Sequence, residues 1–346
     1  MKNWLILTAL GAILAAGGCG LDKEKGILMA AGSYGDLAVV VSHPDLLPVA
    51  DRFVAQFVTE KIFVIKPEPD FKVDIFGPDR FDHAKGYKNV LLLVALGKGG
   101  GVEKAARREI SQETWERLTA GGGGVVQTKD PWSTYQHLVV AASRDRNNLG
   151  SILSRNNEKI REIFEESNRE RILRRNRYDG LNTNLVNACM DRLGFFLEIP
   201  GEYQQNQLEP DGFPGIEMMR QRPSRGITVT WQDTPDPAGM LEDRDRLIAM
   251  REQMGRRMHS EEILPQTFAW STVEFDDRSF RKLEGAWSSN RFDGGGAFWS
   301  YFLADEKRGR VWCIDLLVYA PGMDKMPMFR RMEAVVSTFS TERPQR

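Results

Sequence analysis

The sequence predicts an α+β protein of two antiparallel-sheet subdomains with helices packed on one face, joined by a long charged helix. Two observations carry this. Strand-like runs outnumber helical ones and follow one another directly, which favours antiparallel pairing with helices on one face. Arg144 to Arg177 also reads as one charged helix, ended by the Tyr178-Asp179-Gly180 breaker. The expected divisions are a leader over 1–18, a tether over 19–35, and subdomains over 36–178 and 179–342.

The elements follow in order. Leu37 to Ser42 is an apolar strand, and Pro44 to Glu60 reads as a helix because Leu47, Ala50, Val54, Phe57 and Val58 fall at helical spacing. Ile62 to Ile65 and Phe71 to Phe76 are short strands around Pro67-Glu68-Pro69. Val90 to Leu96 is a continuous apolar run, as in a strand buried on both faces. A helix over Val102 to Leu118 and strands at Val125 to Thr128 and His137 to Ala142 precede the charged helix. Its narrow apolar side is Ile152, Leu153, Ile160, Phe164, Ile172 and Leu173, and Glu165–Arg169 and Glu170–Arg174 stand at i,i+4. Beyond Gly180 come a helix over Asn182 to Leu193 and strands at Phe195 to Ile199, Gly215 to Gln221 and Gly226 to Gln232. A helix over Met240 to Met258 leads into four strands, Thr267 to Phe275, Phe280 to Ser289, Ala297 to Ala304 and Arg310 to Tyr319. An amphipathic helix over Met326 to Phe339 closes the chain.

Of 346 residues, 47 are Lys or Arg and 48 Asp or Glu, a formal net charge of −1 that argues against a dedicated nucleic-acid binder. Hydrophobic content of 41% and charged content of 27% fit a globular chain and exclude a disordered or polytopic membrane protein.

The amino terminus carries the sharpest signal. Lys2 precedes an apolar run from Trp4 to Ala16, too short for the roughly 20 residues of a membrane-spanning helix. It reads as a secretory leader. The run ends in Ala16-Gly17-Gly18-Cys19, which resembles the lipobox of bacterial lipoproteins. That resemblance implies lipidation of Cys19, cleavage before it and a stable acyl anchor in the membrane. Gly20 stands where an inner-membrane-retained lipoprotein carries Asp, so the implied destination is the outer membrane, at its periplasmic face or surface.

Candidate chemistry is sparse. Gly97 to Gly101 lies between a strand and a helix but lacks phosphate-loop spacing, as does Gly121 to Gly124. His43, His83, His137 and His259 are scattered, so no metal site is expected. No cofactor is expected, and no catalytic residue is assigned. Cys189 and Cys313, the cysteines left after lipidation, read as buried thiols slightly more readily than as a bridge. Glu68 and Asp70 flank Pro69 in a rigid turn, and Asp276-Asp277 sits at a strand end. Asp315 interrupts the apolar run from Val311 to Val318, so a buried carboxylate there needs a partner or a raised pKa. Five of the eight tryptophans fall late, Trp231, Trp270, Trp287, Trp299 and Trp312. With Tyr301 they read mainly as core. Trp270, Trp287, Trp299, Tyr301, Trp312 and Asp315 are the candidate binding residues should a stacking platform form.

Several local patterns together resemble DUF4837, an uncharacterised family of bacterial lipoproteins. In the first half they are Pro67-Glu68-Pro69-Asp70-Phe71, Lys88-Asn89-Val90-Leu91 and Glu170-Arg171. In the second they are Ile199-Pro200-Gly201-Glu202-Tyr203, Gly285-Ala286-Trp287, Gly295-Gly296-Ala297-Phe298 and Tyr319-Ala320-Pro321 with Lys325. The resemblance implies a cell-envelope lipoprotein and carries over no activity and no catalytic residue. The expected function is non-catalytic binding or scaffolding at the outer membrane, with an envelope protein or a glycan as partner. The alternatives are a periplasmic lipid- or glycan-binding module using the late aromatics, and a hydrolase built on Asp315, Asp276 or His259.

Overall fold

A computed structural model describes residues 29–62, 67–289 and 294–343. The leader, Cys19 and most of the expected tether lie outside the described residues.

The first half is organised around three apolar strands, β1 (Asp36–Val41) and, further along, two runs of the same kind. After β1 the chain forms α1 (Leu47–Phe57), a small ribbon of β2 (Glu60–Ile62) and β3 (Pro67–Pro69), then β4 (Lys72–Phe76) and α2 (Phe81–Ala84). β5 (Asn89–Ala95), α3 (Gly101–Glu109), α4 (Gln112–Ala120), β6 (Gly123–Lys129) and β7 (His137–Ser143) follow. The sheet order is β4-β1-β5-β7-β6. Only β6–β7 is antiparallel; β1–β4, β1–β5 and β5–β7 run parallel. The antiparallel expectation therefore does not hold for this half. Strands such as β5 and β7 are apolar at successive positions because both faces are covered, and helical crossovers that cover both faces make neighbouring strands parallel. One face packs on α1 and the helices after β7, the other on α2, α3 and α4.

The charged stretch after β7 is two helices, α5 (Arg146–Arg155) and α6 (Asn157–Asp179). Asn156 divides them, its side-chain amide donating to Ile152 O at 2.7 Å. Ile160 and Phe164 seat α6 on the first sheet, and Ile172 is buried further along the helix. It ends at Gly180, whose φ of +101° suits glycine.

The second half opens with α7 (Thr183–Ala188), extended by a π-turn over Cys189–Leu193. Phe195 to Ile199, expected as a strand, makes only an isolated bridge from Phe196 to Ser340. β8 (Gln204–Leu208), β9 (Gly215–Arg220) and β10 (Ser224–Asp233) lead to α8 (Pro237–Glu242) and α9 (Arg244–Met254), then β11 (Glu261–Phe275), β12 (Arg278–Ser289), β13 (Gly295–Asp305) and β14 (Arg310–Tyr319). α10 (Met326–Val336) closes the fold. The seven strands form one antiparallel sheet in the order β11-β12-β13-β14-β10-β9-β8. Here the antiparallel expectation stands, and the chain as a whole is α+β. Helices cover both faces of this sheet rather than one. Trp299, Trp312 and Ile314 face α7 and α10, while Phe298, Phe302 and Cys313 face α8 and α9.

Candidate functional site

Two constellations of titratable side chains deserve a functional test, one inside the second half and one where the halves meet.

The first is a polar row across the face of the second sheet that α9 covers. Register places Glu217 opposite Thr228, Thr228 opposite Asp315, and Asp315 opposite Ser300, so β9, β10, β14 and β13 contribute one polar side chain each. Arg251 of α9 lies on the row with no exposed surface; its Nε donates to Asp315 Oδ1 at 2.7 Å and its Nη2 to Glu261 Oε2 at 3.2 Å. Ser300 Oγ donates to the same Asp315 oxygen at 2.5 Å. The Arg251 guanidinium also sits 4.5 Å from the Phe298 ring centre. His259, in the π-turn that follows α9, puts Nδ1 2.9 Å from Glu217 Oε1 and Nε2 3.2 Å from Thr228 Oγ1.

Burial raises the pKa of Asp315 and of Glu261, against the pull of Arg251. For His259, burial disfavours the charged ring, but the Glu217 hydrogen bond and the Glu261 charge outweigh it, and the net shift is upward. Carboxylates and cations thus pair with one another inside a buried layer, though not at every polar atom. Asp315 Oδ2 and Arg251 Nη1 are buried without a hydrogen-bond partner among the described residues.

Asp315 and His259 therefore share one network, while Asp276, the third hydrolase candidate, stands in the exposed turn between β11 and β12 with φ +53°. Among the candidate aromatics, Trp299, Tyr301 and Trp312 are core residues, as is Trp287 at 3% exposure. Trp299 stacks on Phe329 at 4.5 Å, and Trp312 packs against Trp231 and Phe339. Trp270 is half-buried, with Arg244 over its ring at 5.5 Å and Phe302 beside it. Their rings are spent on packing, and no continuous stacking surface results. Cys189 and Cys313 are buried and free and belong to opposite faces of the sheet; burial pushes Cys189 up to about 12. The Gly97 and Gly99 amides of the glycine loop donate to the Glu103 carboxylate at 2.8 and 2.6 Å, so the chain fills its own loop. Among the described residues no His, Cys, Asp and Glu group has metal-binding geometry.

The second constellation joins the halves. Glu68 and Asp70, expected as a turn, are buried at 3% and 4% exposure. Glu68 Oε2 accepts from the Lys325 and Met326 amides at 2.7 and 2.9 Å, capping α10 from the other half. Asp70 pairs with Arg161 of α6 and accepts from the Thr59 and Phe71 amides. Arg330 of α10 donates to both Glu165 oxygens, at 3.2 and 3.0 Å, and to Asp70 O at 2.7 Å. Deeper in the joint, Lys282 Nζ lies 2.9 Å from Glu284 and 3.1 Å from Glu333, 3.3 Å from the Trp299 ring centre. Tyr301 donates to Glu333 at 2.7 Å, and Lys61 reaches Glu284 at 3.2 Å. Burial opposes the charge on Lys282, yet Glu333 and Glu284 more than offset it and hold the ammonium above its usual range.

Part of this was visible in the sequence. Arg251 occupies the apolar side of its helix with Leu247 and Met254, at spacings of four and three, which marks an arginine that enters the core. The Glu68 contact had no local signal, since its partner amides lie more than 250 residues on.

No helix among the described residues is long and apolar enough to cross a membrane. No curated protein matches the chain. Among solved structures it is similar to a cyanobacterial PsbP (CyanoP) from Synechocystis, at 12% identity over 42% of this chain and 86% of that one, with a TM-score of 0.32. LpqN of Mycobacterium tuberculosis, described as involved in cell envelope biogenesis, aligns at 14% identity over 42% of this chain and 82% of its own, with a TM-score of 0.28. A protein of Bacteroides thetaiotaomicron aligns at 8% identity over 43% and 45% of the two chains, with a TM-score of 0.22. The motifs Pro67–Phe71, Lys88–Leu91 and Glu170–Arg171 lie outside the stretch that a family match covers. That stretch, residues 182–338 with the whole sheet from β8 to β14, matches the domain of unknown function DUF4837.

Proposed function

We propose that the chain is a lipid-anchored, non-catalytic binding or scaffolding protein of the cell envelope, held at the outer membrane through Cys19. One observation carries the non-catalytic reading. The carboxylate, imidazole and guanidinium groups best suited to chemistry, Asp315, Glu261, Glu217, His259 and Arg251, are nearly solvent-free and pair with one another. A general acid or base must reach the proton it moves, and groups this buried and already paired do not face a substrate in solvent. The buried aromatics likewise argue against glycan or lipid stacking and for contact through the outer surface.

The anchoring is supported by the lipobox-like Ala16-Gly17-Gly18-Cys19. Wild-type chain is expected to sediment with membranes and to incorporate labelled fatty acid. Cys19→Ser is expected to lose the label and appear in the soluble fraction. A Cys19→Ser variant that stays with the membrane would overturn the anchored reading.

A further inference from the structure

A groove of about 880 Å³ lies between α6 and the end of the second sheet. Its walls are the exposed side of α6, the β11–β12 turn, the β13–β14 turn and the segment after α10. Its floor includes Leu173, Phe196 and Leu303, each partly open to solvent. Both halves build it, so it exists only when they are docked.

We infer that this groove seats a segment of another envelope protein that carries Lys or Arg together with apolar side chains. The inference rests on the binding reading above and names the kind of partner. Charge is the first argument. The lining holds eight carboxylates against four cations. Each cation is already engaged by a lining carboxylate: Arg169 by Glu166, Arg177 by Glu198, Arg278 by Asp276 and Lys307 by Glu342. Glu170 and Asp305 are in turn engaged by Lys129 and Arg308 from outside the lining, so the acidic surplus comes down to Asp277, 3.8 Å from Arg278, and Glu306. The Asp276 and Asp277 side chains are 84% and 95% exposed, and Glu306 has no ion partner among the described residues. A concave acidic rim steers cationic groups and speeds their docking.

The apolar floor is the second argument. A purely electrostatic surface would attract any polycation, whereas Leu173, Phe196 and Leu303 reward a segment that also buries apolar side chains between its charges. A small amine would satisfy the rim and leave the floor wet, and an apolar ligand would leave the rim unneutralised.

The test uses the detergent-solubilised full chain and a labelled short peptide alternating Lys and Leu. Wild-type protein should bind this peptide more tightly than an all-Lys peptide of equal length. Asp277→Lys with Glu306→Lys should weaken binding by about tenfold at low salt. Equal binding of both peptides, or binding indifferent to the charge reversals, would overturn the inference. In cells, a photo-crosslinking residue at position 173 should give an adduct with a different polypeptide, lost in the charge-reversed variant. An adduct with a second copy of this chain, or with lipid, would overturn it too. Should a crosslinker at position 107 on α3 trap a protein while position 173 traps none, the groove assignment falls and the scaffolding reading survives. Failure at both positions would remove both.

Discussion

Asp315 sits opposite Thr228 and Ser300 in the middle of the second sheet, where an ionised carboxylate is tolerated only because Arg251 and Ser300 meet it. Breaking a buried pair strands the surviving charge, whereas replacing both members with apolar groups does not. Asp315→Asn should therefore lower unfolding free energy by about 3 kcal/mol in denaturant titrations. Arg251→Met combined with Asp315→Leu should cost less than Asp315→Asn alone. An unchanged melting temperature for Asp315→Asn would contradict the paired assignment.

The same layer sets a pH dependence. The folded-state pKa of His259 lies above its ordinary 6.5, and those of Asp315 and Glu261 are raised from their ordinary carboxylate values by burial. In each case the folded state holds its proton to higher pH than the unfolded state does. By linkage, stability then falls as pH rises. The His259 share is complete below pH 6.5 and is lost as pH climbs through the folded value, while the carboxylates act in the acidic range below it. Thermal melts across the neutral range should show declining stability, and His259→Gln should flatten that decline. A slope unchanged in His259→Gln would show that the imidazole stays neutral. The need of Asp315 for a partner was legible from its place in an apolar run. The partner's identity was not, because Arg251 lies 64 residues away.

At the scale of elements, α10 begins without a side-chain cap from its own segment, and Glu68 of β3 supplies one across the joint. A carboxylate on the first amides of a helix also favours the helix dipole. Glu68→Ala should destabilise the protein by about 1–2 kcal/mol, with hydrogen exchange accelerated first in the opening turn of α10. Exchange rising uniformly through the molecule would point instead to general loss of packing. β1, β5 and β7 were legible as buried strands because each carries an unbroken run of at least five apolar residues, but not their direction, which the crossover helices decide. Phe195 to Ile199 has the composition of a strand and lies buried beside the sheet, making one bridge. β8, with Gln204, Gln205, Asn206 and Gln207, is a polar edge strand with a bulge and lacks the alternation that betrays a half-buried strand.

The molecule as a whole is a mainly parallel and an antiparallel sheet, each with helices on both faces, joined in part by ion pairs that cross between the halves. Arg330 and Lys282 lie in the stretch that matches DUF4837, while Glu165, Asp70 and Lys61, which complete their networks, lie before it. The folded unit is consequently larger than the matched domain, and the groove beside α6 is lined by both halves. The measurement that tests this account most directly is native mass spectrometry of the full protein, released gently from its own envelope in detergent. The account predicts a complex with a second polypeptide that is lost in Asp277→Lys with Glu306→Lys, and no added mass of small-molecule size. A small molecule retained in equal proportion with the chain would contradict it and make the protein a ligand carrier.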